Sequence, residues 1–258
     1  MAEAGENGER PAGEGGVLDA KGKAFERVLV VSAHPDDPEF GFGATVARLS
    51  AEGAEVTYVI CTDGSQGGED PSVPDEELIA IRQREQHEAA RLLGVQDVVF
   101  LGHRDGSLSP DLGLRRDIVK EIRRHRPDLV LTHSPLRSLA AGIGASHPDH
   151  VAVGEATLAA CYPDSRNPRA FRDLLAEGLE PHRVREVWLP GYDGADHFVD
   201  VSTTLDKKIA AIRAHESQVS KPGQEPSEFE RWVRDRARQF GEKGGFEYAE
   251  AFRRLEIG

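Results

Sequence analysis

Residues 28–37 read Val-Leu-Val-Val-Ser-Ala-His-Pro-Asp-Asp, an apolar run that ends in one histidine and two adjacent aspartates. The apolar part predicts a buried β-strand over Arg27–Ser32. Open α/β sheets place their functional residues where the strands end. We therefore expect His34, Asp36 and Asp37 at the carboxyl edge of a sheet.

A second cluster, His147-Pro148-Asp149-His150, stands just before another helical pattern. One histidine and one aspartate from the first cluster and one histidine from the second would form a two-nitrogen, one-oxygen ligand set. Three protein ligands leave a metal ion with an open position for water, which is typical of catalytic zinc sites. The pattern predicts a metal-dependent amide hydrolase with His34, Asp37 and His150 as the ligands.

The remaining polar residues of the two clusters have candidate roles in such a site. Asp36 cannot easily share the ion with its neighbour, because successive side chains diverge, but it could act as general base. His147 could donate to an oxyanion or protonate the leaving amine, and Asp149 could orient one of the histidines. The alternative is that these aspartates are only loop or helix-cap residues.

Short apolar segments alternate with amphipathic ones, which predicts an α/β fold with a mostly parallel sheet. The expected strands are Arg27–Ser32, Val56–Cys61, Val98–Leu101, Asp128–Thr132, Val187–Leu189 and His197–Val201. The expected helices are Gly41–Glu52, Asp75–Leu93, Leu114–Arg124, Val151–Ala160 and Thr204–His215. For the final forty residues we expect helix and coil. Residues 1–24, rich in Gly, Glu and Ala, are expected to form a mobile tail, and residues 25–258 a single domain.

Composition excludes several classes of protein. The 258 residues carry a formal net charge of −13, whereas a nucleic-acid partner would require a basic face. No apolar run reaches the roughly 18 residues of a membrane span, and the first residues lack a signal-peptide pattern. The two cysteines, Cys61 and Cys161, lie in apolar segments and are expected to be reduced core residues. We expect a cytoplasmic enzyme.

The residues identified so far belong to a wider set of motifs that resembles the LmbE-like, or PIG-L, de-N-acetylases. The two histidine-aspartate clusters are the specific part of this resemblance, and the other motifs would be weak alone. The matching segments are His34-Pro35-Asp36-Asp37-Pro38-Glu39, Gly41-Phe42-Gly43-Ala44-Thr45, Arg82-Gln83-Arg84-Glu85, Asp105-Gly106, His147-Pro148-Asp149-His150, His215-Glu216-Ser217-Gln218 and Tyr248-Ala249-Glu250-Ala251-Phe252.

The resemblance implies a Rossmann-like three-layer sandwich that holds zinc, or ferrous iron, on the three ligands named above. It also implies that Asp36 is the base and that His147 stabilises the transition state. Arg82 and His215 are expected near the substrate. Their alternatives are a helix-face pair of Arg82 with Glu85, and a last-turn histidine that meets the helix dipole.

The function expected from the resemblance is hydrolytic removal of an N-acyl group, most simply acetyl, from an N-acetylglucosamine-type sugar or its conjugate. Two alternatives stay open: an amidase of thiol S-conjugates, and a non-catalytic sugar- or metal-binding relative. The loop Ser134–Ala145 is more apolar than a sugar-facing loop requires. It could serve as a lid or as a contact in a homo-oligomer.

Overall fold

The computed structural model describes residues 16–138, 143–191, 194–219 and 226–257. Within these ranges seven strands form one sheet in the order β3-β2-β1-β4-β5-β7-β6. The strands are β1 (Arg27–Ser32), β2 (Glu55–Thr62), β3 (Asp97–His103), β4 (Leu129–Thr132), β5 (Glu186–Pro190), β6 (His197–Asp200) and β7 (Ala249–Glu256). The first five are parallel, and β7 runs antiparallel to β5 and β6.

Helices cover both faces of this sheet. They are α1 (Asp37–Ala51), α2 (Asp75–Leu93), α3 (Leu112–His125), α4 (Pro148–Ala159), α5 (Arg172–Ala176), α6 (Leu205–Arg213), α7 (Glu216–Val219) and α8 (Pro226–Gly244). Alternate residues of β1 enter two separate cores: Val28 and Val30 pack with α1 and α2, while Leu29 and Val31 pack with α3 and α4. This arrangement confirms the predicted α/β class with a mostly parallel sheet.

The order of the strands explains where a site can form. From β1 the chain builds the sheet outward through β2 and β3, and from β4 it builds in the opposite direction through β5. The carboxyl ends of β1 and β4 therefore border the crevice at which the strand order reverses, where open α/β sheets bind their ligands. The two histidine-aspartate clusters follow these two strands.

Three predictions about elements need correction. Helix α1 begins at Asp37 rather than Gly41, because Pro38 fits the first turn of a helix, where no N–H is needed. Residues 16–24, expected to belong to the tail, pack on the domain: Val17 is buried, and Leu18 pairs with Ala24. The final segment contains strand β7 in addition to helix and coil.

The two cysteines are buried and unpaired, as predicted. No helix in the described ranges is both long and apolar enough to cross a bilayer.

Candidate metal centre and active site

Asp37 lies at the centre of the crevice and contacts both clusters. As the first residue of α1, it places Oδ2 3.2 Å from Nδ1 of His34 and Oδ1 3.0 Å from Nε2 of His150. The backbone N–H of His34 also donates to Oδ2 at 2.8 Å, which fixes the carboxylate. Asp37 therefore contacts both other predicted ligands, through different carboxylate oxygens, and the ring centroids of His34 and His150 lie 5.2 Å apart. Among the described residues, the groups whose ligand atoms all lie within 4.8 Å of one another are His34–His147–His150, Asp37–His133–His150 and His34–Asp105–Asp149.

The second nitrogen of His34 is occupied by carboxylates. Nε2 lies 3.1 Å from Oδ1 of Asp105 and 3.2 Å from Oδ2 of Asp149. The Asp149 carboxylate is buried and accepts hydrogen bonds from the N–H groups of Gly106 and Leu108. Because Nε2 faces only acceptors, it carries a proton, and Nδ1 is directed to Asp37.

The electrostatics of this cluster fit a bound cation. Burial lowers the pKa of His34, but hydrogen bonds to Asp105, Asp149 and Asp37 outweigh it and raise that pKa to about 12. Burial would raise the pKa of Asp37, yet His150 and His133 hold it well below its usual range. The site therefore stabilises positive charge beside an ionised carboxylate, and imidazole and carboxylate donors suit zinc or ferrous iron.

Asp36 lies beside this cluster in a partly buried position. Burial and the charge of Asp37 raise its pKa to about 7, although Arg82 opposes the shift with a guanidinium nitrogen 3.3 Å from Oδ2. A carboxyl group with a pKa near neutrality can accept and release protons at physiological pH, as a general base must.

His147 forms the N-cap of α4. Its Nδ1 accepts a hydrogen bond from the N–H of Asp149 at 3.2 Å, which leaves the ring proton on Nε2. Burial lowers its pKa, and the neighbouring His34 and His150 lower it further, so the ring is neutral at pH 7. Its ring centroid lies 4.8 Å from that of His34. His147 can therefore donate one hydrogen bond at the edge of the cluster.

The two residues expected near the substrate, Arg82 and His215, are both buried and contact other parts of the protein. The His215 ring is fully buried, with Nε2 3.1 Å from Oε2 of Glu39, which corrects its assignment as a substrate contact. The Arg82 side chain is 3% exposed and donates to the carbonyl groups of Gly64 and Pro35. These contacts leave its guanidinium little surface for a substrate.

The structure shows other contacts for these two residues than the alternatives expected. Glu85 accepts hydrogen bonds from the backbone and hydroxyl of Ser217 rather than pairing with Arg82. His215 follows the end of α6 but contacts Glu39 of α1, so its burial is a tertiary contact.

Sequence reasoning missed two residues of the cluster. His133 directly follows β4, and its ring stacks on His150 with centroids 4.1 Å apart. Its Nε2 accepts a hydrogen bond from the N–H of Ala33 at 3.1 Å and lies 3.4 Å from Oδ2 of Asp37, and His133 forms a candidate metal-binding group with Asp37 and His150. Asp105 follows β3 and received no role. Both residues lie just after strands, and this position in the sequence could have identified them as part of the cluster.

The loop after β4 is described only in part, since residues 139–142 lie outside the described ranges. On either side of that gap the side chains of Leu136 and Ile143 are 75% and 72% exposed. The prediction of a lid or an oligomer contact for this loop stays a prediction.

Comparison with known proteins shows which family this chain is similar to. Residues 29–161 match the sequence profile of the PIG-L family, described as GlcNAc-PI de-N-acetylase. The diacetylchitobiose deacetylase of Thermococcus kodakarensis is 34% identical over 232 residues, which cover 88% of this chain and 82% of that protein. A 1D-myo-inositol 2-acetamido-2-deoxy-alpha-D-glucopyranoside deacetylase of Streptomyces avermitilis is 33% identical over 256 residues, covering 76% and 84%.

Among solved structures, the N,N'-diacetylchitobiose deacetylase of Pyrococcus horikoshii in complex with an inhibitor superposes with a TM-score of 0.82. It is 35% identical, and the match covers 90% of this chain and 84% of that one. These findings confirm the predicted resemblance and the fold it implied.

Proposed function

We propose that this chain, which belongs to the PIG-L family of GlcNAc-PI de-N-acetylases, hydrolyses the N-acetyl group of an N-acetylglucosamine-type sugar or its conjugate. The observation that carries the proposal is the placement of a carboxyl group with a pKa of about 7, Asp36, and a neutral imidazole donor, His147, beside the His34–Asp37–His150 cluster. Binding alone would require neither a base nor a donor next to the ligands.

In this proposal His34, Asp37 and His150 hold a divalent ion, zinc or ferrous iron. When bound, the ion would lower the pKa of water and polarise the acyl oxygen of the substrate. Nδ1 of His34 and Nε2 of His150 are the ring nitrogens of these two histidines that contact Asp37, and they would face the ion. Asp105 and Asp149 would hold the His34 ring by its other nitrogen.

The reaction consumes one water molecule and yields acetate and a free amine. Asp36 accepts a proton from the water molecule while the oxygen of that water forms a bond to the carbonyl carbon. The Nε2–H of His147 donates a hydrogen bond to the oxyanion that develops on the acyl oxygen. When the C–N bond breaks, Asp36 returns the proton to the departing nitrogen, which leaves as an amine.

The substrate class rests on the relatives named above, which act on acetylated amino sugars according to their names. Acetyl is the acyl group common to those names.

The test is an acetate-release assay on the purified protein loaded with Zn²⁺ or, without oxygen, with Fe²⁺. The panel comprises N-acetylglucosamine, N,N'-diacetylchitobiose, an N-acetylglucosaminyl inositol and an amide of a cysteine S-conjugate. We expect release of acetate and a new primary amine from at least one of the three sugars. Turnover of the cysteine conjugate alone would favour the amidase alternative. Metal binding without any turnover would favour a non-catalytic relative.

A further inference from the structure

The peptide unit between Pro35 and Asp36 is held at both of its polar ends by side chains of α2. The carbonyl of Pro35 accepts a hydrogen bond from Nη2 of Arg82 at 2.6 Å, and the N–H of Asp36 donates one to Oε1 of Gln86 at 2.9 Å. Arg82 and Gln86 are four residues apart and therefore project from one face of α2. Together they fix the plane of this peptide, and the orientation of the peptide determines where the Asp36 side chain points.

Asp36 requires such a clamp because its backbone is strained. Its φ of 99° and ψ of −32° lie in a region that residues other than glycine rarely adopt. Conformations of this kind persist only where the surroundings enforce them. Turning the Pro35–Asp36 peptide over would bring φ of Asp36 into the ordinary negative range. It would also exchange the positions of the C=O and N–H groups.

Gln86 opposes that exchange only while its amide keeps one orientation. A glutamine amide presents an acceptor at one end and donors at the other, and it can adapt to a partner by turning over. Here Nε2 of Gln86 donates to Oε1 of Glu39 at 3.0 Å, so the amide oxygen must face Asp36. In the turned peptide, the Pro35 carbonyl would meet the Gln86 oxygen, and the Asp36 N–H would meet the Arg82 guanidinium.

His215 completes the chain of contacts from the opposite side. Its Nε2 lies 3.1 Å from Oε2 of Glu39, the oxygen that Gln86 does not use. Gln86, Glu39 and His215 are each fully buried, so water does not compete for these contacts. Whichever partner holds the proton between His215 and Glu39, Oε1 of Glu39 remains the acceptor for Gln86.

We propose that Gln86 is a positioning residue for Asp36, and that Glu39 and His215 keep the Gln86 amide in the orientation that holds Asp36 in place. The proposal rests on the proposed function only in naming Asp36 as the base. It gives the buried His215 a role in the site without any contact to substrate.

The first test replaces Gln86 with methionine, which has a similar length and no hydrogen-bonding group. We expect kcat for the acetylated sugar to fall about 10- to 100-fold, the scale of loss when a reacting group is misplaced by about 1 Å. KM should stay within about twofold, and the metal bound per chain should be unchanged, since no ligand is altered. Ile122→Ala, which opens a cavity beneath the opposite face of the sheet, is the control for lost stability and should keep kcat.

The second test is a matched pair at Glu39. Glu39→Met removes the acceptor and lets the Gln86 amide turn over, so kcat should fall as in Gln86→Met. In Glu39→Gln the new amide oxygen can still accept from Gln86, while its NH₂ donates to Nε2 of His215. The His215 proton can then move to Nδ1, which has no hydrogen-bond partner among the described residues. Glu39→Gln should therefore keep most of the kcat that Glu39→Met loses. If Gln86→Met does not fold, this pair tests whether Gln86 positions Asp36.

Crystal structures of the wild type and the variants provide a readout that does not depend on turnover. A turned or doubled Pro35–Asp36 peptide is expected in Gln86→Met and Glu39→Met, and the original orientation in Glu39→Gln. Gln86→Met with the original peptide and full kcat would overturn the proposal. If the wild type itself released no acetate, the proposed function would fail, while the peptide orientation would still decide the role of Gln86.

Discussion

Nε2 of His34 lies 3.2 Å from Oδ2 of Asp149, so a residue of the second cluster orients a candidate ligand from the first. Asp149 can serve this purpose because its carboxylate only accepts: from Gly106, from Leu108 and from His34. In Asp149→Asn one of these donors would face an NH₂ group. We expect affinity for zinc to fall about 10- to 100-fold, measured by competition with a chromophoric chelator.

Asp117→Asn is the matched control for that variant. Asp117 also pairs with a histidine, His103, at 3.1 Å, but both side chains are partly exposed and outside the cluster. Its zinc affinity should equal that of the wild type. An Asp149→Asn protein that binds zinc as tightly as the wild type would show that this carboxylate does not orient a ligand.

Asp36→Asn should separate metal binding from turnover. The amide cannot accept the proton of the attacking water, so we expect kcat to fall about 10²- to 10⁴-fold with zinc content unchanged. In the wild type the rate should decline as the pH falls below about 7, because the base must be deprotonated and its pKa lies there. Zinc content by elemental analysis and a kcat–pH profile check both points. Loss of zinc in Asp36→Asn, with normal turnover per bound zinc, would make Asp36 a ligand instead.

His147→Asn should remove the oxyanion donor while preserving the helix. Asparagine is a preferred N-cap residue and can replace the contact that Nδ1 makes with the N–H of Asp149. Its shorter side chain cannot reach as far as the imidazole Nε2–H. We expect kcat to fall about 10²- to 10³-fold, the usual cost of one oxyanion donor, with an unchanged melting temperature. A melting temperature that drops together with kcat would point to a capping role alone.

The sequence predicted the clustering of His34, Asp37 and His150 because both clusters follow apolar strands, and parallel strands share one carboxyl edge. It did not predict the role of His133, because a single histidine after a strand looks like any loop residue. The ring stacking with His150 and the hydrogen bond from Ala33 depend on the register between β1 and β4, which periodicity does not reveal.

Strand β7 was missed for a similar reason. Its second residue, Glu250, is buried and charged, so no apolar pattern marks the segment as part of a sheet. Its carboxylate accepts hydrogen bonds from the N–H groups of Ala44 and Thr45 and pairs with Lys208 at 2.6 Å. Buried polar groups are tolerated where partners satisfy them, and these partners come from α1 and α6, distant in sequence. The contact between Nε2 of the buried His215 and Glu39 follows the same principle.

The stability of the fold should depend on pH through His197, far from the metal cluster. The His197 ring packs on Trp188 with centroids 4.5 Å apart, and burial together with the charge of Arg254 lowers its pKa to about 4. An unfolded histidine has a pKa of about 6.5, so between these values the unfolded chain binds a proton that the folded chain does not. The contribution of His197 to the free energy of unfolding is complete above pH 6.5 and is lost as the pH falls toward 4. Between pH 7 and pH 5 the protein loses roughly 1–2 kcal/mol of this contribution.

His197→Phe keeps an aromatic ring against Trp188 and removes the titrating group. Its free energy of unfolding, measured by urea denaturation at pH 7 and pH 5, should therefore fall less between the two values than that of the wild type. The difference between the two proteins in this loss of unfolding free energy isolates the effect of His197, because the carboxyl groups that titrate in the same range are common to both proteins. Parallel losses of stability in the two proteins would mean that His197 titrates with the same pKa in the folded and unfolded chains.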